Sequence, residues 1–202
     1  MNRKNYLWMC ITFLFSTGMM GCSTESDYAI SEELSSTGYF APDSISETLS
    51  TNTLYAVIAE EGQALHTITH DDIVITLDDI VAVDTVKGVF KMINTEKIDA
   101  VAYPLPKLHY ILFYSKGEFL FDAKLNSAIS SLALEGLLFY GFFPPNRQGA
   151  ARYDLTIHRI VMEDGTIVGN PTEQQWQGIH KMYDILDRAD KVQSNIEFDF
   201  NY

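Results

Sequence analysis

The chain has 202 residues, with 14 basic against 27 acidic side chains and a formal net charge of −13. Hydrophobic residues make up 47% and aromatics 12%, enough for one real core, so disorder throughout is excluded and the length suits a single domain with a tail. Two cysteines exclude a disulfide-rich scaffold and a four-cysteine zinc site, and the acid excess argues against nucleic acid, whose phosphates need Lys and Arg.

The chain opens on a short positive stretch, Asn2-Arg3-Lys4-Asn5, followed by the uncharged apolar run Tyr6 to Phe15 and then by small and flexible residues, Ser16 to Cys22. This is the three-part layout of a secretory signal peptide, and the apolar run is too short and too broken for a membrane span. Met19-Met20-Gly21-Cys22 resembles the lipobox of bacterial lipoproteins, with Gly21 as the small residue before the cysteine and Met19 in place of the usual leucine. The resemblance implies cleavage after residue 21, lipidation of Cys22, and a mature chain with no other thiol, because Cys10 lies in the removed segment. The alternative is an ordinary signal peptide with an incidental cysteine. A diacyl or triacyl anchor holds a protein stably, since each buried CH₂ contributes about 0.8 kcal/mol. Ser23 after the cysteine is similar to the outer-membrane pattern of Gram-negative lipoproteins, and Glu25 and Asp27 resemble surface-export signals. The expected address is therefore the outer membrane or cell surface, and the expected partner is the membrane itself.

Charge is polarised. From Cys22 to Val86 there are 13 acidic residues and no Lys or Arg, whereas from Lys87 onward 12 basic residues nearly balance 14 acidic ones. Ser and Thr fill 13 of the 31 positions between Ser23 and Thr53. These features predict a signal peptide over 1–21, an acidic tether over 22–53 and one folded domain over 54–202. The rival for the tether is a segment that orders on a basic partner.

Within the domain, Leu54–Ala59 reads as a short apolar run, and Leu65–Ile75 alternates like a strand. Thr76-Leu77-Asp78-Asp79-Ile80 reads as a helical turn, with Thr76 placed to cap it, or as a strand entry. Val81–Thr85 and Val89–Ile93 form a hairpin signal around Lys87-Gly88, and Leu108–Tyr114 with Phe119–Leu125 form a stronger one around Ser115-Lys116-Gly117. Asn126 is placed to cap a short helix through Glu135, Gly136 to end it, and Leu137–Phe143 to follow as a strand. Tyr153–Met162 reads as a strand closed by Glu163-Asp164-Gly165. Asn170-Pro171-Thr172-Glu173 then starts an amphipathic helix with Trp176, Ile179, Met182, Tyr183 and Leu186 on one face. Ile196, Phe198, Phe200 and Tyr202 alternate with polar residues as a strand-like tail. The expected fold is α+β, a mainly antiparallel sheet with one short helix and a C-terminal amphipathic helix on a face; the alternative is a β-rich half-barrel with one helix.

Few residues point to chemistry. His66 and His70 frame a His-Thr-Ile-Thr-His-Asp-Asp run and, with Asp71 and Asp72, are weak metal candidates. In a strand the two histidines stand about 13 Å apart, too far to share an ion. Asp78-Asp79 is an adjacent pair of acids that suits a helix start better than a two-carboxylate site. His109, His158 and His180 are scattered singly, and there is no nucleophile elbow, phosphate loop, His-Glu-x-x-His or calcium loop. The aromatics Phe139, Tyr140, Phe142, Phe143 and Trp176 suit either a core or a sugar- or peptide-binding platform.

Asp79-Ile80 before a hairpin, Leu112-Phe113-Tyr114 before a turn, Phe119-Leu120-Phe121, Ser127–Ser131 and the Trp-bearing C-terminal helix resemble small uncharacterised lipoproteins of Bacteroides-type Gram-negative bacteria, over roughly residues 75–190. The resemblance carries an address and a fold class, with no activity and no cofactor. Two functions follow as expectations: a non-enzymatic lipoprotein that binds a protein or glycan, and an envelope hydrolase or metal-dependent enzyme that uses the region of His66, His70, Asp71 and Asp72.

Overall fold

A computed structural model describes residues 45–62, 67–102, 108–127, 134–142 and 149–198. Ten strands lie in this order: β1 (Tyr55–Glu60), β2 (Ile73–Thr76), β3 (Ile80–Asp84), β4 (Val89–Met92), β5 (His109–Ser115), β6 (Glu118–Ser127), β7 (Leu138–Phe142), β8 (Ala151–Leu155), β9 (Ile160–Val161) and β10 (Ile167–Val168). The described residues also hold two helices, α1 (Glu96–Ala102) between β4 and β5 and α2 (Glu173–Arg188) after β10. Eight strands form one sheet in the order β2-β1-β5-β6-β7-β8-β4-β3, and β9 and β10 make a separate hairpin.

The sheet is mixed, because β6 and β7 run parallel with Lys124 beside Leu138. Its two edge strands, β2 and β3, are consecutive in the chain and are joined by the three-residue turn Leu77–Asp79, so the sheet curls into a nearly closed barrel. This overturns the α+β expectation. Among the described residues the fold is mostly β with one long helix, and neither that reading nor the half-barrel alternative contains the parallel pair or the near closure. The physical reason lies in the crossover: Asn126 and Ser127 continue β6 instead of starting a helix, and the chain rejoins the sheet at Leu138 in the same direction.

Open sheet edges are saturated one group at a time, as edge strands require. On β2, the Lys97 ammonium from α1 donates to the carbonyls of Asp71 and Ile73. On β3, Val83 N–H donates to Lys191 O and Gln193 N–H donates to Val83 O, so the segment after α2 serves as a further edge. β6 has no β7 partner over residues 118–123, and there α2 approaches: Gln175 Nε2 donates to Asp122 O at 3.0 Å. Gly178 makes that approach feasible, since a Cβ in its place would stand 2.0 Å from Leu120 O.

Two apolar clusters hold the fold. The larger one fills the side covered by α2, where Phe113 stacks on Phe121, Phe139 stacks on Tyr153, and Ile179, Met182 and Leu186 contribute the helix face. Ile98 brings α1 into this core, and the Tyr153 hydroxyl donates to the Asp99 carboxylate. The smaller cluster gathers Tyr55, Val57, Leu112 and Tyr114 on the other face of β1 and β5. It is covered by residues ahead of the expected domain start at 54: Ile45 bridges Ile68, and Leu49 in the turn Glu47–Thr51 is 0% exposed. No described helix is long and apolar enough to cross a membrane.

Candidate functional site

Asp122 lies on β6 between two residues of the larger core, Phe121 and Ala123, so the pleat turns its side chain to the opposite face. There it is paired across β5 with Leu112, in the same row as Tyr110 and Lys124, which face each other. The result is an aspartate only 7% exposed at the side of a cleft of about 390 Å³. The cleft is closed on its other sides by Glu61 after β1, by Glu135 to Leu137 before β7, and by Asn170, Thr172 and Gln175 at the start of α2.

The start of α2 is fixed by a capping box. The Thr172 hydroxyl accepts from Gln175 N–H at 3.2 Å, and Gln175 Oε1 accepts from Thr172 N–H at 3.0 Å. The cap is therefore Thr172, two residues beyond Asn170, where the sequence starts the helix and where the chain holds a positive φ of 65°. With its oxygen used in the box, the Gln175 amide presents its Nε2 to Asp122, donating to the carbonyl and, at 3.3 Å, to Oδ1. The Asp122 carboxylate also accepts from its own backbone N–H, and these few hydrogen bonds do not outweigh the loss of water.

Burial therefore dominates its electrostatics. Desolvation pushes the Asp122 carboxyl above the ordinary carboxylate range, against the smaller opposing pull of the Gln175 hydrogen bond and the Lys124 charge. The Tyr110 hydroxyl is pushed up first by burial and then by the negative charges of Glu61 and Asp122. A buried carboxyl under these conditions gives up its proton less readily than a free one, and ionises more readily when a positive charge arrives beside it.

The expected site residues fare differently. Cys22 and His66 lie outside the described residues. His70, Asp71 and Asp72 are exposed and form a single 3₁₀ turn where a strand was expected. The Asp72 carboxylate folds back to accept from the Thr69 N–H and hydroxyl, both at 2.8 Å. Among the described residues no group of three or more His, Cys, Asp or Glu side chains is placed to hold a metal ion. Asp79 makes the same turn with Thr76 and also accepts from Asn94 Nδ2 at 2.9 Å, so the Asp78-Asp79 pair starts a turn. His109 keeps Nδ1 buried without a partner on β5, His158 Nε2 meets Val86 O at 2.7 Å, and His180 stacks beside Trp176.

The described residues of the aromatic run do not form a platform. Phe139 is fully buried in the core, while Tyr140, its neighbour in the strand, turns to the other face. Trp176 packs on the core from α2; the Phe142 side chain and Phe143 lie outside the described residues. Sequence reasoning passed over Asp122 because it alternates with apolar residues as an ordinary solvent-facing acid would. The available signal was the strand beside it: Leu108–Tyr114 is apolar on both faces, so an acid in register with it is covered as well.

A second cleft, of about 420 Å³, lies between the β5–β6 turn and α2. An ion pair between Lys181 and Glu118 spans it, which leaves its charges largely compensated. No family model, no curated protein and no solved structure matches the chain.

Proposed function

We propose that this chain is a lipoprotein held through Cys22 at the outer membrane or cell surface of a Gram-negative bacterium, where its β-rich domain serves as a non-enzymatic binding module. The Asp122 cleft is its ligand site. One observation supports the binding role: a buried aspartate lines a cleft of small-molecule size with a single weak side-chain donor, and the described lining residues include no cysteine, histidine or serine to act as a nucleophile. The anchor rests on the Met19–Cys22 motif and the apolar run before it.

Fractionation of cells that express the full chain tests the anchor. The wild-type protein is expected in the membrane fraction and in the detergent phase, and Cys22→Ser is expected to move to the soluble fraction. A Cys22→Ser protein that stays with the membrane would overturn lipid anchoring. The ligand site is tested separately, by melting shifts with small polar ligands compared between wild type and Asp122→Asn.

A further inference from the structure

We propose that β9 is the pairing edge of a two-fold dimer of this chain, with Ile160–Met162 of one copy laid antiparallel on the same segment of a second copy.

The hairpin that carries β9 is firmly held. Its turn is closed by Met162 N–H donating to Thr166 O at 2.9 Å and by Gly165 N–H donating to Met162 O at 3.0 Å. β10 is fixed to the domain on its far side, where Gly136 N–H donates to Ile167 O at 3.0 Å and Gly169 N–H donates to Gly136 O at 2.8 Å. At the base, the His158 ring holds Val86 O, and a Cβ at Gly169 would stand 2.1 Å from His158 O. With β10 occupied on both sides, β9 is the open edge: among the described residues it pairs with β10 alone.

That edge is apolar. Ile160, Val161 and Met162 are 51%, 55% and 48% exposed, and Val86, beside the hairpin base, is 74% exposed. Four of the six large hydrophobic side chains exposed among the described residues thus gather at this end of the fold. Single exposed apolar residues are ordinary, but three in a row on an open strand edge are a template for another strand. Met162 turns its N–H toward β10, so alternation along the ladder turns the N–H and C=O of Val161 away from it.

The flanking charges select a second copy as the occupant. Antiparallel pairing centred on Val161 sets this residue against its own counterpart, where the two exchange N–H···O bonds, and sets Ile160 against Met162. It also sets Arg159 against Glu163 of the second copy, twice by symmetry. Both side chains are exposed, and neither has an ion-pair partner among the described residues. Four positions along an extended chain is about 13 Å, too far for the two to pair within one copy. Arg-Ile-Val-Met-Glu is therefore complementary to itself when reversed. The contact is small beside obligate interfaces, which bury about 2,000 Å² or more, so the dimer forms as concentration rises.

The test is sedimentation velocity of the full chain in a mild detergent, from low to high protein concentration. A reversible monomer–dimer equilibrium is expected. Arg159→Glu and Glu163→Arg, both at exposed positions, are each expected to weaken it about tenfold or more, because two opposite-charge pairs become like-charge pairs. Mixed in equal amounts, these two variants are expected to associate with each other as wild type does with itself, since each brings the charge the other lacks. Val161→Lys, which sets two ammoniums on the two-fold axis, is expected to leave a monomer with an unchanged circular dichroism spectrum. A chain that stays monomeric at every concentration overturns the proposal. So does a dimer that the charge variants and Val161→Lys leave intact, which places the contact elsewhere or in shared micelles. Weakening by the single variants without recovery in their mixture overturns it too, because the loss then reflects damage to the hairpin and not unpaired charges.

Discussion

At the residue scale, Asp122 gives the sharpest expectation. Its folded-state pKa is raised by burial, so the native protein binds this proton more tightly than the unfolded chain does. Below about pH 4, near the ordinary aspartate value, both states hold the proton and the buried carboxyl costs nothing through ionisation. As pH rises from there toward the folded pKa, stability falls, and above the folded pKa the loss is complete. Asp122→Asn keeps an acceptor for Gln175 Nε2 and removes the ionisation. It is therefore expected to melt above wild type at pH 7.5 and to converge with it at pH 3.5, as thermal unfolding at the two pH values would show. A constant difference across that range would mean that packing, not ionisation, sets the effect. A pair of short turns shows how local residue chemistry repeats. Thr69-His70-Asp71-Asp72-Ile73-Val74 and Thr76-Leu77-Asp78-Asp79-Ile80-Val81 share a Thr-x-Asp-Asp-Ile-Val pattern, and each folds as a 3₁₀ turn closed by its last Asp on its first Thr. They differ in surroundings: Asp72 is exposed, whereas Asp79 is half-buried and also holds Asn94. Asp79→Ala is expected to cost about 1–3 kcal/mol in denaturant unfolding and Asp72→Ala less than 1 kcal/mol.

At the element scale, α2 is where helix propensity and packing pull apart. Gly178 sits in mid-helix, where alanine ordinarily gains about 1 kcal/mol. Here an added Cβ would meet the Leu120 backbone at 2.0 Å, and backbone does not yield as a flexible side chain does. Overpacking of this kind costs about 1–3 kcal/mol, so Gly178→Ala is expected to destabilise, lowering the melting temperature by a few degrees, while Gln177→Ala on the exposed face leaves it unchanged. The elements differ in how legible they are from sequence, for a physical reason. The β3–β4 and β5–β6 hairpins and the apolar face of α2 follow from local alternation and spacing, and all three form where expected. α1 escapes because a seven-residue helix carries too short a period to register; tertiary contacts hold it, through Ile98 in the core, the Asp99–Tyr153 hydrogen bond and Lys97 on the β2 edge. The parallel β6–β7 pair escapes because strand direction is set by the crossover and leaves no mark in either strand's own pattern. The Asp122 cleft escapes for the same reason: it assembles from β5, β6, the approach to β7 and the start of α2.

At the scale of the whole molecule, the point where the packed chain begins decides stability. Composition puts residues 45–53 with the Ser/Thr-rich acidic stretch, because Ile45 and Leu49 are too sparse to make a period. In the fold these two residues cover the smaller cluster, with Ser46 N–H donating to Ile68 O at 3.0 Å and the Ser115 hydroxyl donating to Thr53 O at 2.6 Å. Asn52 O also accepts from Lys116 N–H at 2.8 Å, which ties the segment to the β5–β6 turn. Beneath it Tyr55 stacks on Tyr114 with ring centroids 5.4 Å apart, and both rings are fully buried. A curled sheet has two faces, and with α2 committed to the larger cluster, these N-terminal residues shield the other face over β1 and β5. A chain begun at Ile45 is therefore expected to melt cooperatively like the longer protein, whereas one begun at Leu54 leaves Tyr55, Val57, Leu112 and Tyr114 in water and is expected to bind a hydrophobic dye and melt far lower. Leu49→Ala separates packing from truncation: a buried leucine cut to alanine costs about 2–5 kcal/mol, or roughly 5–15 °C in a domain of this size. Equal melting temperatures for the chains begun at 45 and 54 would return the segment to the tether and leave the smaller cluster stable with one face open to solvent.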